Sequence, residues 1–262
     1  LFAQLGGTPQ AGGTWSGPSV VGGLGNYNPA TMNPGAYIYT IVGVAPCVNA
    51  TATVDVTENP AANAGSNGNL SSCANGASAS LFARLGGTPQ AGGTWSGPSP
   101  VVGGMYDPAA MGPGAYVYTV TGTPPCANAT ATITVTENAA PNAGTNGSYS
   151  ICTNGALVSL IAQLGGAPQA GGTWSGPSVV GGLGNYNPVA MDPGVYTYTV
   201  TGVAPCTNST ATVTITEVPA ANAGTSAPLA TCSNGAAVSL FAALGGTPDA
   251  GGAWSGPSPV VG

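Results

Sequence analysis

Residues 113–137 read PGAYVYTVTGTPPCANATATITVTE. Pro113-Gly114 sets a turn, after which Tyr116, Tyr118 and Val120 share one face of an extended segment, with Val117 and Thr119 on the other. From Thr130 the chain alternates again. Ala131, Ile133 and Val135 point one way, and Thr130, Thr132, Thr134 and Thr136 the other. Period two with threonine outward is the pattern of a half-buried antiparallel strand. Short strands broken by turn signals every ~8–12 residues, with no helical spacing anywhere, predict a β-sandwich.

Working upstream, residues 70–73 suit a short first strand, turned by Ala74-Asn75-Gly76. A second strand is clearest where Val158, Leu160, Ala162 and Leu164 alternate with Ser159, Ile161 and Gln163. Gly92-Gly93-Thr94-Trp95-Ser96 then reads as a Trp-bearing strand between Gly-rich turns. The same text recurs along the whole chain. Residues 1–19 (LFAQLGGTPQAGGTWSGPS) return at Leu81, Leu160 and Leu240, at spacings of 80, 79 and 80. A near-identical unit of that length is a small domain, and a string of them is a structural array. The first and third copies share Val20 to Pro29 with Val179 to Pro188. The second and fourth instead share Pro100-Val101-Val102-Gly103 with Pro259-Val260-Val261-Gly262. Duplication of a domain pair, with a period of 159 residues, explains the alternation.

Linkers of Ala, Asn, Pro and Gly occupy 59–65 and 138–144, with 218–224 of the same kind. The expected domains are therefore 1–58 (lacking its first strand), 61–137, 141–217, and 220–262 as the N-terminal part of another. No initiator Met or signal peptide is present, and both ends fall inside a repeat. The sequence reads as a window on a longer, processed polypeptide.

Composition narrows the function. One Arg (Arg84), no Lys, no His and seven acids give a net charge of −6, which removes any polybasic surface for nucleic acid. The same absence removes the usual general bases and nucleophile activators, so no enzyme is expected. The 44 Gly and 24 Pro among 262 residues approach the range of disordered chains. The alternating β-branched and apolar positions argue instead for order. With so few charges, solubility falls to Thr, Ser, Asn and Gln, or the chain lives assembled. No apolar run reaches 18 residues, so no membrane span and no cofactor are expected.

Six cysteines, at 47, 73, 126, 152, 206 and 232, are locked to the repeat. Without His partners or CxxC pairs they read as a disulfide framework and an extracellular or periplasmic setting, of which the cell surface is the expected one. The intradomain pairs, Cys73 with Cys126 and Cys152 with Cys206, are the expected ones. In an immunoglobulin-type strand order those points lie at opposite ends of the sandwich, ~20 Å apart against a ~7 Å Cα limit. That leaves a staple between consecutive domains, or another strand order, as the competing arrangement.

The order of an Ala-x-Ala-Gly linker, Cys-x-Asn-Gly, Gly-Gly-x-Trp, Pro-Gly-x-Tyr-x-Tyr-Thr and Pro-Cys before an alternating Thr strand resembles the tandem Ig-like or PKD-like repeats of Bacteroidota secreted surface proteins, adhesins and gliding-associated polypeptides among them. The resemblance implies tandem Ig-like antiparallel β-sandwich domains of about 80 residues each. It also implies a structural role at the cell surface, as filament, stalk or adhesin shaft; the scarcity of charge adds the expectation that it self-assembles with neighbouring copies of the same polypeptide. Near-absence of charge and high identity between neighbouring repeats depart from that family, and both suit packing of unit on unit.

Individual residues divide between structural and binding readings. Trp15, Trp95, Trp174 and Trp254 can fill a core slot in each domain or form a ladder of sugar-stacking platforms. The core reading is expected for the first three, and a glycan ligand is the alternative function. Tyr37, Tyr116 and Tyr196 resemble the tyrosine corner, whose hydroxyl caps turn backbone, and are expected in the core. Phe2, Phe82, Ile161 and Phe241 lie on the opposite face from Leu1, Ala3 and Leu5 and are expected to point away from that core. They are candidate assembly contacts, the alternative being burial under a loop. One recurring acid per junction (Glu58, Glu137, Glu217) is too few for calcium. The Thr rows reflect β-propensity rather than ice binding. The sequons at Asn49, Asn128 and Asn208 are explained by a turn before a strand.

Overall fold

The computed structural model describes residues 1–23, 25–181 and 184–257, so the last five residues of the expected fourth domain lie outside it. Two compact units form. One comprises Leu1–Ser71 with Ala77–Thr136, the other Ser72–Gly76 with Glu137–Gly262. The fold is all-β.

In the first unit, β1 (Thr14–Ser16), β2 (Gly35–Ile41) and β3 (Ala50–Val56) make a three-stranded antiparallel sheet in that order. The second repeat contributes β4 (Gly68–Cys73), β5 (Ala79–Ser80), β6 (Thr94–Ser96), β7 (Met105–Tyr106), β8 (Gly114–Val120) and β9 (Ala129–Asn138). Their sheets run β4-β9-β8-β6 and β5-β7. In the second unit, β10 (Gly147–Cys152), β11 (Val158–Ser159), β12 (Thr173–Ser175), β13 (Asn185–Tyr186), β14 (Gly194–Val200) and β15 (Ser209–Val218) repeat that plan as β10-β15-β14-β12 and β11-β13.

The alternation read from the sequence is what packs. Tyr116, Tyr118 and Val120 of β8 and Ala131, Ile133 and Val135 of β9 are buried in one core, while Thr130, Thr134 and Thr136 face solvent. Leu70, Leu81, Leu85 and Tyr106 close that core from β4, the second layer and its turn. Seven of the fully buried large side chains are tyrosines, and each finds a partner for its hydroxyl or its ring. Tyr116 donates to Gly112 O at 2.6 Å, as do Tyr37 to Asn33 O and Tyr196 to Asp192 O. A buried hydroxyl is thereby satisfied and the turn before the strand is tied to it. Glycine is obligatory at Gly97, where an added Cβ would stand 2.3 Å from the Tyr116 ring.

Two expectations are corrected. The first strand does not join an all-antiparallel sheet. β10 runs parallel to β15, from Gly147 beside Val213 to Cys152 beside Val218, so the larger sheet is mixed. And the predicted second strand stops after two residues. Phe82–Arg84 and Ile161–Gln163 are 3-10 turns, which bury Leu81 with Leu85 and Leu160 with Leu164, four apart on one side of a turn. Seven residues of alternation fit either geometry, and the helical one places both leucines in the core.

Candidate functional site

The structure converges on the point where one repeat's last strand ends. Cys73 closes β4, and the next N–H, of Ala74, donates to Asn138 O at the end of β9 (3.0 Å). The loop before β15 meets the same carbonyl: Cys206 Sγ lies 3.5 Å from Asn138 O, and the Asn138 amide donates to Ala204 O at 2.6 Å. Cys73 and Cys206 are disulfide-bonded, with Cα atoms 5.0 Å apart and 133 residues between them in sequence. This overturns the intradomain pairs: Cys126 and Cys152 carry free thiols, as do Cys47 and Cys232. Strand direction is the reason. Because the first strand ends beside the exit of the last strand, its cysteine sits a full strand away from the loop that enters it. β9 is 10 residues long, which separates Cys73 from Cys126 by about 30 Å.

The loop that presents the second cysteine is built alike three times. Gly43, Gly122 and Gly202 N–H each donate to the side chain of Asn49, Asn128 or Asn208 at 3.0 Å, and the cysteine N–H closes onto Val44 O, Thr123 O or Val203 O at 2.9 Å. The sequon asparagines thus serve as loop clasps. Cys126, like Cys206, lies against the asparagine that leads out of the preceding repeat, here three residues past the end of β3: its Sγ donates to Asn59 O (3.4 Å) while the Asn59 amide donates to Pro124 O (2.8 Å).

The linkers are pinned to the domain that follows them. Asn142 N–H donates to Gln169 Oε1 (2.8 Å), and the Asn142 amide donates to Gly166 O and Ala167 O. Its own Oδ1 accepts from Gly144 N–H. Asn63 does the same with Gln90, and Asn222 with Asp249. These clasps were missed from sequence. Their signal is the pairing itself: Asn precedes Gln or Asp by 27 residues each time, and Asp249 keeps the acceptor that Gln90 supplies. Glu58 and Glu217, read as sparse junction acids, accept from the hydroxyls of Tyr27 and Tyr186. Burial and this carboxylate push the Tyr27 hydroxyl up to about 12 and raise that of Tyr186 further.

The aromatic positions share a second feature. Trp15, Trp95 and Trp174 are half-buried at the core's edge, each tilted on the paired strand's tyrosine with ring centroids 4.9–5.0 Å apart. Tyr37, Tyr116 and Tyr196 lie wholly inside. Phe2 and Phe82 stack edge-on against Tyr39 and Tyr118, and Ile161 packs on the third repeat's core. The 3-10 turn therefore cancels the argument that put these residues on an outer face, since alternation does not apply within it. Phe241 alone of the four is largely exposed. Phe82, Trp95, Val101 and Tyr118 line an open groove over Gly92 to Thr94.

No protein-family model matches the chain, and no curated protein matches it. Among the described residues no helix is long and apolar enough to cross a membrane.

Proposed function

We propose that the chain is a stretch of the shaft of a secreted bacterial surface protein, a filament, stalk or adhesin of the Bacteroidota Ig-like repeat type. It has no catalytic role. One observation carries the reading: the disulfide joins the first strand of one repeat to the last loop of the next. A bond so placed joins two repeats rather than two strands of one repeat, and it resists their separation under load. Closing a 133-residue loop restricts the unfolded chain by about 5 kcal/mol in the chain-entropy model. The pinned linkers and asparagine clamps work in the same direction, removing slack between repeats. An oxidised cysteine pair suits an extracellular site, and a single arginine leaves trypsin-like proteases almost nothing to cut.

Single-molecule pulling tests the mechanical role. With the bond intact the residues between Cys73 and Cys206 are shielded from extension, and reduction should release about 45 nm of added contour length. Equal lengths with and without reductant would sink the reading. Negative-stain images of the native surface material should show continuous filaments rather than flexible beads.

A second reading, glycan binding, rests on the half-exposed Trp95 in its groove. Quenching or shifting of Trp emission by oligosaccharides, lost in Trp95→Ala, would favour it over the shaft.

A further inference from the structure

We propose that the disulfide follows a rule of register. The cysteine that closes the first strand of each repeat is oxidised to the cysteine in the last loop of the repeat that follows. Cys152 and Cys126 are then the two complementary halves of further staples, and the partner of each is another repeat of this same kind. The inference rests on the shaft reading and deepens it by naming the partner.

Equivalent positions in successive repeats are built alike. Cys152 is presented as Cys73 is. Each ends its strand, the next N–H donates to the carbonyl at the end of the last strand (Thr153 to Val218 O, Ala74 to Asn138 O, both 3.0 Å), and a glycine N–H closes the turn on the cysteine carbonyl at 2.8 Å. Cys126 is presented as Cys206 is, from the same asparagine-clasped loop, with its sulfur against the terminal carbonyl of the previous repeat at 3.4 Å, compared with 3.5 Å. In the bonded pair that terminal carbonyl is the meeting point: it takes the N–H beside one cysteine and touches the sulfur of the other. Cys126 already stands at such a point, at Asn59 O, and Cys152 stands at another, at Val218 O. Within one repeat the two cysteines face opposite ends of the last strand and cannot meet. The bond needs an oxidant, for which a small-molecule disulfide suffices: two thiols lose two protons and two electrons, and the oxidant leaves as two thiols.

The test supplies the neighbour. A copy of residues 139–159 fused directly ahead of Leu1 places a first strand ahead of the first repeat. Its cysteine then lies the same 133 residues ahead of Cys126, and its Asn142 the same 27 ahead of Gln10. After refolding in oxidised and reduced glutathione, a non-reducing peptide map should link the added cysteine to Cys126 and protect Cys126 from alkylation. A link to Cys47, the intradomain partner, overturns the rule, as does a free Cys126 in molecules that carry the Cys73–Cys206 bond. That native bond reports folding and oxidation in the same sample. Its absence there, and in the unextended chain, would fail the shaft reading itself. A second fusion, residues 104–137 copied after Gly262, asks the same of Cys152: bonding to the copied Cys126 supports the rule, and pairing of that copy with Cys232 overturns it.

Discussion

Trp95 and Trp254 sit in almost the same text, TWSGPSPVVG and AWSGPSPVVG, yet only one of them is in a strand. Trp95 pairs in register with Tyr118 and tilts onto its ring. Trp254 is 43 % exposed, and Leu240, counterpart of the fully buried Leu81, is 39 % exposed. What survives in the fourth repeat is local. The Thr225–Gly245 bridge matches Ser66–Gly86, and the Asn222–Asp249 clasp matches Asn63–Gln90. What is missing among the described residues is any counterpart of β8 and β9, whose tyrosines and β-branched residues supply the core. Local hydrogen bonds form where the sequence spans them. The tryptophan strand and the leucine turn wait for partners further along the chain.

The largest effect should come from removing that difference. Fusing a copy of residues 104–137 after Gly262 supplies the fourth repeat with counterparts of β8 and β9, and it should then fold as a whole. Far-UV circular dichroism should gain β signal, and Trp254 emission should move to the blue. An unchanged Trp254 would mean that the local text differs from that of the second repeat in some decisive way.

The converse change should make the second repeat behave like the fourth. Tyr116→Ala removes a fully buried ring together with the hydroxyl that ties Gly112. Loss of such a side chain costs about 3–5 kcal/mol. The denaturant midpoint followed at Trp95 should fall steeply, while the midpoint of the third repeat should hold.

These experiments touch the part of the fold that was easiest to read. β8 and β9 were legible because alternation is written residue by residue, and the tyrosine pattern Pro-Gly-x-Tyr-x-Tyr marks both the turn and the face. The Leu81 to Leu85 turn was not, because seven residues of alternating apolar character satisfy a strand and a single helical turn equally, and only the distant core decides. The cysteine partners were legible to the level of an oxidised framework. Their connectivity depended on whether the first strand runs parallel or antiparallel to the last, a pairing made across more than 60 residues. Asn142 with Gln169 was hidden for another reason. It is a side-chain-to-backbone contact across 27 residues that leaves no alternation in the sequence, visible only once two repeats differ in the acceptor.

A smaller perturbation sharpens the comparison at one atom. Gly97→Ala places a methyl group 2.3 Å from the Tyr116 ring, which the ring cannot vacate without leaving the core. Overpacking of that kind costs about 1–3 kcal/mol. Gly256→Ala makes the same change in the same text where the glycine is exposed, and should alter stability by no more than about 0.5 kcal/mol. Equal effects at the two sites would show that the glycine serves its own turn rather than the tyrosine.

The smallest expected effect concerns the hydroxyls that tie the second layer to the end of the last strand. Tyr186 donates to Glu217 at 2.6 Å and contacts Met191 O at 3.2 Å, so Tyr186→Phe should cost about 1–2 kcal/mol at neutral pH by leaving both acceptors short of a donor. The pH dependence has a definite sign. In the unfolded chain a tyrosine gives up its proton near pH ~10. In the folded chain Tyr27 keeps its proton to about 12, and Tyr186 is shifted the same way. The folded state therefore binds more protons between those values, and the contribution of each hydroxyl, complete below about pH 10, is lost as pH rises through the folded value. Chemical denaturation from pH 8 to 12 should show stability falling in the native chain and falling less in Tyr186→Phe. A variant that loses stability in parallel with the native chain across that range would locate the alkaline sensitivity elsewhere than in the tyrosine–glutamate pairs.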